Sequence, residues 1–137
     1  MPDARPAEAT DRNFHTMPIK KILVVDDSPT ERLAMTELLT GKGYQVVTAE
    51  SGEDAIARSK SEKPDLILMD VVMPGMNGYQ ATRTISRDEA TRSIPIIMCT
   101  SKGLETDRIW GMRQGAYDYL VKPVDGAELL ARIQALG

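Results

Sequence analysis

The chain has 137 residues, which suits one domain with a full hydrophobic core. Its net charge of -3 gives no reason to expect binding to nucleic acid or to an anionic membrane. No apolar run is long enough to span a bilayer. The single cysteine, Cys99, excludes an internal disulfide. Because a secretory signal is also missing, the sequence predicts a cytoplasmic protein without membrane insertion.

The first residues differ in composition from the rest of the chain. Residues 1–18 are rich in Ala, Pro and charge and lack apolar periodicity, so they are predicted to be a disordered leader. Met17 is an alternative start. Residues 19–137 are expected to form a single domain, and no output domain is expected because the chain ends directly after its last predicted helix.

Short apolar runs alternate with helical patterns from residue 19 onward. The predicted strands cover residues 22–25, 45–49, 66–69, 96–99 and 117–121. Helices are predicted from Ser28 to Gly41 or Gly43, from Ser51 to before Pro64, from Asn77 or Gly78 past Ile85, from about Leu104 to Gln114, and from Asp125 onward. Capping boxes are predicted for Ser28 with Glu31 and for Asp125 with Glu128. Five βα units with short connections predict an α/β fold with a parallel sheet between two layers of helices.

Polar side chains follow four of the five predicted strands. The carboxyl ends of parallel strands meet at one edge of a sheet, where the working site of such folds lies. Asp70 ends an unbroken apolar run, and an acid there is costly unless it faces water, a metal or a positive charge. The residues brought together are Asp26, Asp27, Asp70, Thr100, Ser101 and Lys122.

This set of side chains suits phosphoryl transfer. Two carboxylates about 4 Å apart repel by on the order of 4 kcal/mol at an effective dielectric constant of about 20, and a divalent cation relieves this. Oxygen ligands favour Mg²⁺ or Mn²⁺ over zinc. A carboxylate can then act as nucleophile while the metal and Lys122 neutralise the phosphoryl oxygens. Taken singly, Asp27, Thr100 and Lys122 each have simpler explanations: an acid at a helix start, an ordinary strand residue and a solvated lysine.

The residues at the strand ends resemble those of the response-regulator receiver family, the CheY-like proteins. The resemblance covers roughly residues 20–136. It rests on Asp26-Asp27, Asp70 followed by Met73-Pro74-Gly75-Met76-Asn77-Gly78, Thr100, and Lys122-Pro123. It implies a flavodoxin-like (βα)5 three-layer sandwich with strand order 2-1-3-4-5. It also implies that the Lys122-Pro123 peptide bond is cis.

The resemblance further implies the role of each site residue. Asp70 accepts a phosphoryl group from a phosphohistidine of a CheA-like histidine kinase. Asp26, Asp27, Asp70 and the backbone carbonyl of Val72 hold Mg²⁺. Thr100 and Lys122 bind the phosphoryl group, and the small Ser101 leaves it accessible. The implied enzymatic activity is limited to Mg²⁺-dependent self-phosphotransfer and autodephosphorylation at Asp70.

Further motifs are similar to stand-alone receivers of type IV pilus twitching motility. They are Asp27-Ser28-Pro29-Thr30-Glu31, Gln80-Ala81-Thr82-Arg83, Glu105-Thr106-Asp107, Trp110-Gly111 and Arg113-Gln114-Gly115-Ala116. A role in this motility or in chemotaxis-like control is therefore expected. The output is expected to be a protein target bound by a monomer or weak dimer.

The family also implies a switch between two conformations. On phosphorylation Thr100 is expected to move toward the phosphate while Tyr119 turns inward. Arg108, Met112 and Tyr119 are the candidates for the face that changes, although Tyr119 can also be a static, half-buried aromatic. Val72 and Lys102 are expected to tune the lifetime of the phosphate.

Four other functions share parts of the pattern. A receiver-like binding module could ignore phosphate, and a receiver could serve as a phosphate sink for a shared kinase. A phosphatase with an aspartate nucleophile would place that residue after the first strand, usually with a second acid two residues on, whereas Asp26 and Asp27 are adjacent. A flavodoxin would need Ser, Thr and Gly in the first loop, which here is acidic.

Overall fold

The computed structural model describes residues 18–137, in which five strands and five helices alternate. They are β1 Lys21–Val25, α1 Pro29–Thr40, β2 Gln45–Ala49, α2 Gly52–Glu62, β3 Leu66–Met69, α3 Gly78–Arg87, β4 Ile96–Thr100, α4 Glu105–Gln114, β5 Asp118–Val121 and α5 Gly126–Leu136. The predicted α/β class is confirmed, and each strand lies within one residue of its predicted bounds. The predicted leader lies outside the described residues except for Pro18.

The five strands form one parallel sheet in the order β2-β1-β3-β4-β5, as the resemblance implied. Every residue of β3 and β4 is buried, whereas the edge strands β2 and β5 are partly accessible. Continuous apolar runs such as Leu66-Ile67-Leu68-Met69 arise because helices cover both faces of the central strands. The fold is the flavodoxin-like three-layer sandwich.

Successive residues of each strand point into two different cores. Leu68 packs with Leu39 of α1 and Ile133 of α5 on one side of the sheet. Ile67 packs on the other side with Ile85 of α3. This alternation follows from the two-residue period of a strand. The carboxyl ends of β1, β3, β4 and β5 lie along one edge of the sheet.

Both predicted capping boxes are wrong in part. Ser28 caps α1 by accepting a 3.3 Å hydrogen bond from the Glu31 amide. The Ser28 amide, however, donates to Oδ1 of Asp26 at 2.9 Å, so the Glu31 side chain does not complete the box. At α5, Asp125 accepts from the Ala127 amide rather than forming a box with Glu128.

A reciprocal capping box occurs instead at the start of α3. Asn77 accepts from the Gln80 amide at 2.9 Å, and the Gln80 side chain accepts from the Asn77 amide at 3.0 Å. This box anchors the helix that follows the Asp70 loop. Within residues 18–137, no helix is both long and apolar enough to cross a membrane.

Candidate functional site

Three carboxylates cluster at the carboxyl edge of the sheet. Asp26 and Asp27 follow β1, and Asp70 follows the neighbouring β3. One carboxylate oxygen from each lies within 4.8 Å of the others. Asp26 and Asp70 are each only 7% exposed, whereas Asp27 is exposed. The Asp70 amide donates to the Val25 carbonyl at 3.0 Å, which fixes the two strand ends side by side.

The ammonium group of Lys122 lies beside this acidic cluster. Its Nζ donates to Oδ2 of Asp26 at 2.9 Å and lies 3.5 Å from Oδ1 of Asp70. It also forms a short ion pair with the Glu31 carboxylate, a partner that sequence reasoning missed. The Lys122 amide donates to the Thr100 carbonyl at 2.8 Å, and the peptide bond to Pro123 is cis, as predicted.

Burial and charge shift the proton affinities of these groups. Burial, reinforced by the negative charge of Asp26, raises the pKa of Asp70 from 3.8 to about 6, although Lys122 works against this shift. For Lys122, burial favours the neutral form. Hydrogen bonds to Glu31 and Asp26 and the charge of Asp70 outweigh burial, so the pKa of Lys122 is raised. Lys122 therefore stays protonated beside the buried carboxyl groups.

The loop after Asp70 folds tightly back on the strand. The Val71 amide donates to Oδ1 of Asp70 at 2.9 Å, and the Gly78 amide donates to the Val71 carbonyl at 2.8 Å. A Cβ on Gly78 would lie only 2.1 Å from the Asp70 carbonyl oxygen. Glycine at this position is therefore required by the close approach of α3 to the site. Val72, which the family likeness assigns as a carbonyl ligand, is exposed in this loop.

Asp26 is held by more contacts than the sequence suggested. Its Oδ1 accepts from the Ser28 amide, and its backbone carbonyl accepts a 2.7 Å hydrogen bond from Nη1 of Arg32. Arg32 follows one turn into α1, so the helix and the acidic loop are tied together. No strand-end signal could have identified Arg32, because its role depends on side-chain reach.

The strand end of β4 brings Thr100 to the same edge. Thr100 is fully buried, and its hydroxyl accepts from the Lys102 amide at 3.2 Å. Ser101 and Lys102 are exposed. The predicted set therefore converges on one edge: Asp26, Asp27, Asp70, Thr100, Ser101 and Lys122.

Tyr119 of β5 is buried, with 5% of its surface exposed, rather than half-buried. Its hydroxyl donates to the Lys102 carbonyl at 2.7 Å and lies 3.3 Å from the Tyr79 hydroxyl. Burial, together with the Tyr79 contact, raises the pKa of Tyr119. Met112 packs partly against the core cluster that contains Tyr119, whereas Arg108 is exposed.

The sheet order and the strand-end cluster define a class of signalling domain. Residues 22–134 match the family model described as the response regulator receiver domain, so the chain belongs to that family. It is the receiver domain of a two-component response regulator. Among its relatives is Protein PilH of Pseudomonas aeruginosa, which is 54% identical over 116 residues, 85% of this chain and 96% of PilH.

Two solved structures show the same fold. The chemotaxis protein CheY4 of Vibrio cholerae matches with a TM-score of 0.81 and 32% identity, covering 87% of this chain and 99% of that one. The receiver domain of the sensor histidine kinase PA1611 of P. aeruginosa matches with a TM-score of 0.79 and 36% identity, covering 85% of this chain and 96% of that one. The latter structure has a magnesium ion coordinated in its active site cleft.

The acidic cluster of this chain fits a hard divalent cation. Its donor atoms are carboxylate oxygens that lie within 4.8 Å of one another, without histidine or cysteine among them. Such oxygen ligands suit Mg²⁺ or Mn²⁺. Burial, and after it the negative charge of Asp26, raises the pKa of Asp70 despite the nearby Lys122, so a bound cation would stabilise the ionised carboxylate.

Proposed function

We propose that this chain is a phosphorylation-controlled switch in which Asp70 accepts a phosphoryl group from a phosphohistidine of a CheA-like histidine kinase. The observation that carries the proposal is the position of Asp70. Its carboxylate is 3.5 Å from the ammonium group of Lys122 and shares a cluster with Asp26 and Asp27. A buried nucleophile with a cation at its side is the arrangement that phosphoryl transfer needs.

The proposed reaction forms one bond and breaks another. A carboxylate oxygen of Asp70 attacks phosphorus, and the bond from phosphorus to the histidine nitrogen breaks. That nitrogen takes the electron pair of the broken bond, and the other ring nitrogen keeps its proton, so that a neutral imidazole leaves. Lys122 neutralises charge on the phosphoryl oxygens, and the Thr100 hydroxyl donates to one of them. Ser101 leaves room for water. The later attack of this water on phosphorus breaks the bond to the Asp70 oxygen, releases inorganic phosphate and restores the Asp70 carboxylate. We propose no further enzymatic activity.

The metal site is part of the same proposal. Asp26, Asp27, Asp70 and the backbone carbonyl of Val72 would hold Mg²⁺ or Mn²⁺. The ion would supply positive charge against the phosphoryl oxygens in a site that otherwise depends on Lys122.

The contacts of Lys102 support the proposed coupling between Thr100 and Tyr119. The Lys102 amide donates to the Thr100 hydroxyl, and the Lys102 carbonyl accepts from the Tyr119 hydroxyl. If Thr100 turns to a phosphoryl oxygen, the first of these bonds is lost and the loop that anchors Tyr119 is released to move. The face that carries Arg108, Met112 and Tyr119 would then change, which alters binding of an output protein.

The relatives support a proposal for the biological setting. Identity of 54% to PilH, together with the motifs noted above, supports a role in type IV pilus twitching motility. We propose that residues 19–137 act as a cytoplasmic receiver domain, as a monomer or weak dimer, that signals through a protein target.

Incubation with acetyl phosphate and Mg²⁺, followed by intact-mass measurement, tests the chemistry. The wild type should gain one phosphoryl group, and Asp70→Asn should gain none. Glu89→Gln, which removes an exposed acid far along the chain from the cluster, should behave like the wild type. An adduct that persists in Asp70→Asn would contradict the proposal.

Deletion of the gene in the source bacterium tests the proposed role in motility. We expect the deletion to abolish surface twitching. The wild-type gene should restore it, and the Asp70→Asn gene should not. Normal twitching after deletion would contradict the motility role. Full complementation by Asp70→Asn would favour a binding module that ignores phosphate.

A further inference from the structure

We infer that Glu31 is a specificity-determining residue whose carboxylate occupies the ammonium group of Lys122 before phosphorylation and disfavours small anionic phosphodonors. The inference rests on the proposed function of Asp70 and Lys122. It concerns which donor reaches Asp70, a question that the acidic cluster and the hydroxyls do not decide.

The start of α1 explains why Glu31 points toward Lys122. In a complete capping box, the Glu31 side chain would accept from the Ser28 amide. Here Oδ1 of Asp26 accepts from that amide at 2.9 Å. Because Asp26 accepts from the Ser28 amide in place of Glu31, the Glu31 carboxylate can pair with Lys122.

The three hydrogens of the Lys122 ammonium group face three carboxylates. An ammonium group has three donors, and the acceptors around it belong to Asp26, Asp70 and Glu31. A phosphoryl oxygen can bind Lys122 only by replacing one of these partners. The side chains of Asp26 and Asp70 are 10% and 8% exposed, whereas that of Glu31 is 51% exposed. Glu31 is the partner that water can solvate most easily after release.

Glu31 also lies where a donor must approach. It borders both the small pocket that contains Asp26, Asp70 and Lys122 and an adjoining open groove. The groove is lined by Glu31, Ala34, Met35, Leu38, Ser101, Lys122, Pro123 and Val124. A small anion that enters by this route meets the negative charge of Glu31. A phosphohistidine carried on a protein surface can arrive with apolar and cationic groups that cover the groove and pair with Glu31. The arrangement therefore favours protein donors over free phosphoryl anions.

Phosphorylation rates of the full chain test the inference. Wild type, Glu31→Gln and Glu31→Lys are incubated with Mg²⁺ and a subsaturating concentration of either acetyl phosphate or the less highly charged phosphoramidate. The matched control is Glu37→Gln, which removes a charge from an exposed position further along α1. The readout is the rate of appearance of the phosphoryl adduct by intact mass.

We expect Glu31→Gln to accelerate the reaction with acetyl phosphate by roughly 2- to 5-fold, the range of a partly exposed ion pair. Glu31→Lys should accelerate it further, and both gains should be smaller with phosphoramidate and shrink in high salt. A purely structural role of Glu31 would not depend on donor charge or salt.

The possible outcomes separate the two proposals. If both Glu31 variants react at the wild-type rate or more slowly while the Asp70 adduct still forms, the role of Glu31 is overturned and the proposed function stands. If the wild type and all variants fail to form the adduct, the proposed function itself is overturned. Acceleration by Glu37→Gln equal to that by Glu31→Gln would also overturn the role of Glu31, because the effect would then be one of net charge.

Discussion

The hydroxyl group of Tyr119 donates a 2.7 Å hydrogen bond to the backbone carbonyl of Lys102, which lies 17 positions earlier in the chain. The amide of the same Lys102 donates to the Thr100 hydroxyl at 3.2 Å. One residue of the loop after β4 therefore contacts both the buried aromatic of β5 and the buried hydroxyl at the end of β4. We expect a change at Thr100 to reach Tyr119 through this loop.

Removal of the Tyr119 hydroxyl should loosen that loop. Tyr119→Phe keeps the ring in the core but removes the donor to Lys102, so we expect unfolding to become easier by about 1 kcal/mol. Amide hydrogen exchange in residues 101–104 should accelerate, as measured by mass spectrometry, and urea denaturation gives the stability. Tyr44→Phe removes the same atom on the opposite side of the sheet and should leave exchange in residues 101–104 unchanged. Equal exchange in Tyr119→Phe and the wild type would argue against the link.

The raised pKa of Asp70 predicts how stability depends on pH in the absence of divalent metal. Its pKa is about 6 in the folded protein and 3.8 ordinarily. At pH 7 the carboxylate is ionised in both states, and the folded state bears the cost of the buried charge. As the pH falls through 6 toward 4, the folded state takes up the proton first, so this cost disappears. The contribution of Asp70 to stability therefore rises on acidification.

Asp70→Asn isolates this contribution. At pH 7 without metal, we expect the variant to be more stable than the wild type by about 3 kcal/mol, since the pKa of Asp70 is raised from 3.8 to about 6 and each pKa unit corresponds to about 1.4 kcal/mol. The advantage should vanish near pH 4. Thermal unfolding from pH 4 to pH 7 measures the difference, and saturating Mg²⁺ should stabilise the wild type more than the variant. A pH-independent difference would contradict the raised pKa of Asp70.

The buried hydroxyl of Thr82 lowers the stability of the fold, and a single substitution should remove this effect. It is fully buried in α3, and within residues 18–137 its hydroxyl is the buried side-chain oxygen that has no hydrogen-bond partner. Thr82→Val replaces that hydroxyl with a methyl group of similar size, so we expect stabilisation by about 1 kcal/mol. The control is Thr84→Val in the same helix, where the hydroxyl is exposed and bonds to the Gln80 carbonyl. Urea denaturation of both variants should show a gain for Thr82→Val alone.

Gly78 should tolerate no side chain. A Cβ there would lie 2.1 Å from the Asp70 carbonyl oxygen, so Gly78→Ala must displace either α3 or the Asp70 loop. We expect a loss of stability of roughly 2 kcal/mol, in the range typical of overpacking, and slower phosphorylation by acetyl phosphate. Gly126→Ala is a matched control, because its Cβ would make ordinary contacts at 3.5 Å with Leu38. Unchanged phosphorylation in a folded Gly78→Ala protein would show that the loop adapts.

The main members of the site were predictable from the sequence. Asp26, Asp70 and Lys122 each follow a buried apolar run, and a parallel sheet brings such strand ends to one edge whatever the details of packing. The strand bounds were equally predictable, because turn residues and caps interrupt each run. The strand order and the cis peptide bond followed from the resemblance to a known family.

The side-chain contacts could not be predicted in the same way. Asp26 displaces Glu31 from the capping box, and Glu31 then reaches Lys122, 91 positions away. Such an exchange depends on which of several acceptors lies nearer in three dimensions. The local spacing of Ser28 and Glu31 predicts a capping box. It contains no information about the position of Asp26 in three dimensions, so it cannot predict that Asp26 takes the place of Glu31. The hydrogen bond of the Tyr119 hydroxyl could not be predicted for the same reason, because its acceptor is a backbone carbonyl in a loop distant in sequence.

The two oxygens of the Asp26 carboxylate have different partners: Oδ1 accepts from the amide of the nearby Ser28, and Oδ2 accepts from Lys122, 96 positions later. Synthesis proceeds from the amino terminus, so all three clustered acids emerge from the ribosome before the residue that neutralises them. A nascent chain that lacks β5 carries their mutual repulsion without relief from Lys122. Docking of the last strand at the sheet edge both closes the fold and supplies the missing cation. If Asp70 accepts a phosphoryl group as we propose, this competence is acquired only once β5 has docked and nearly the whole domain has been made.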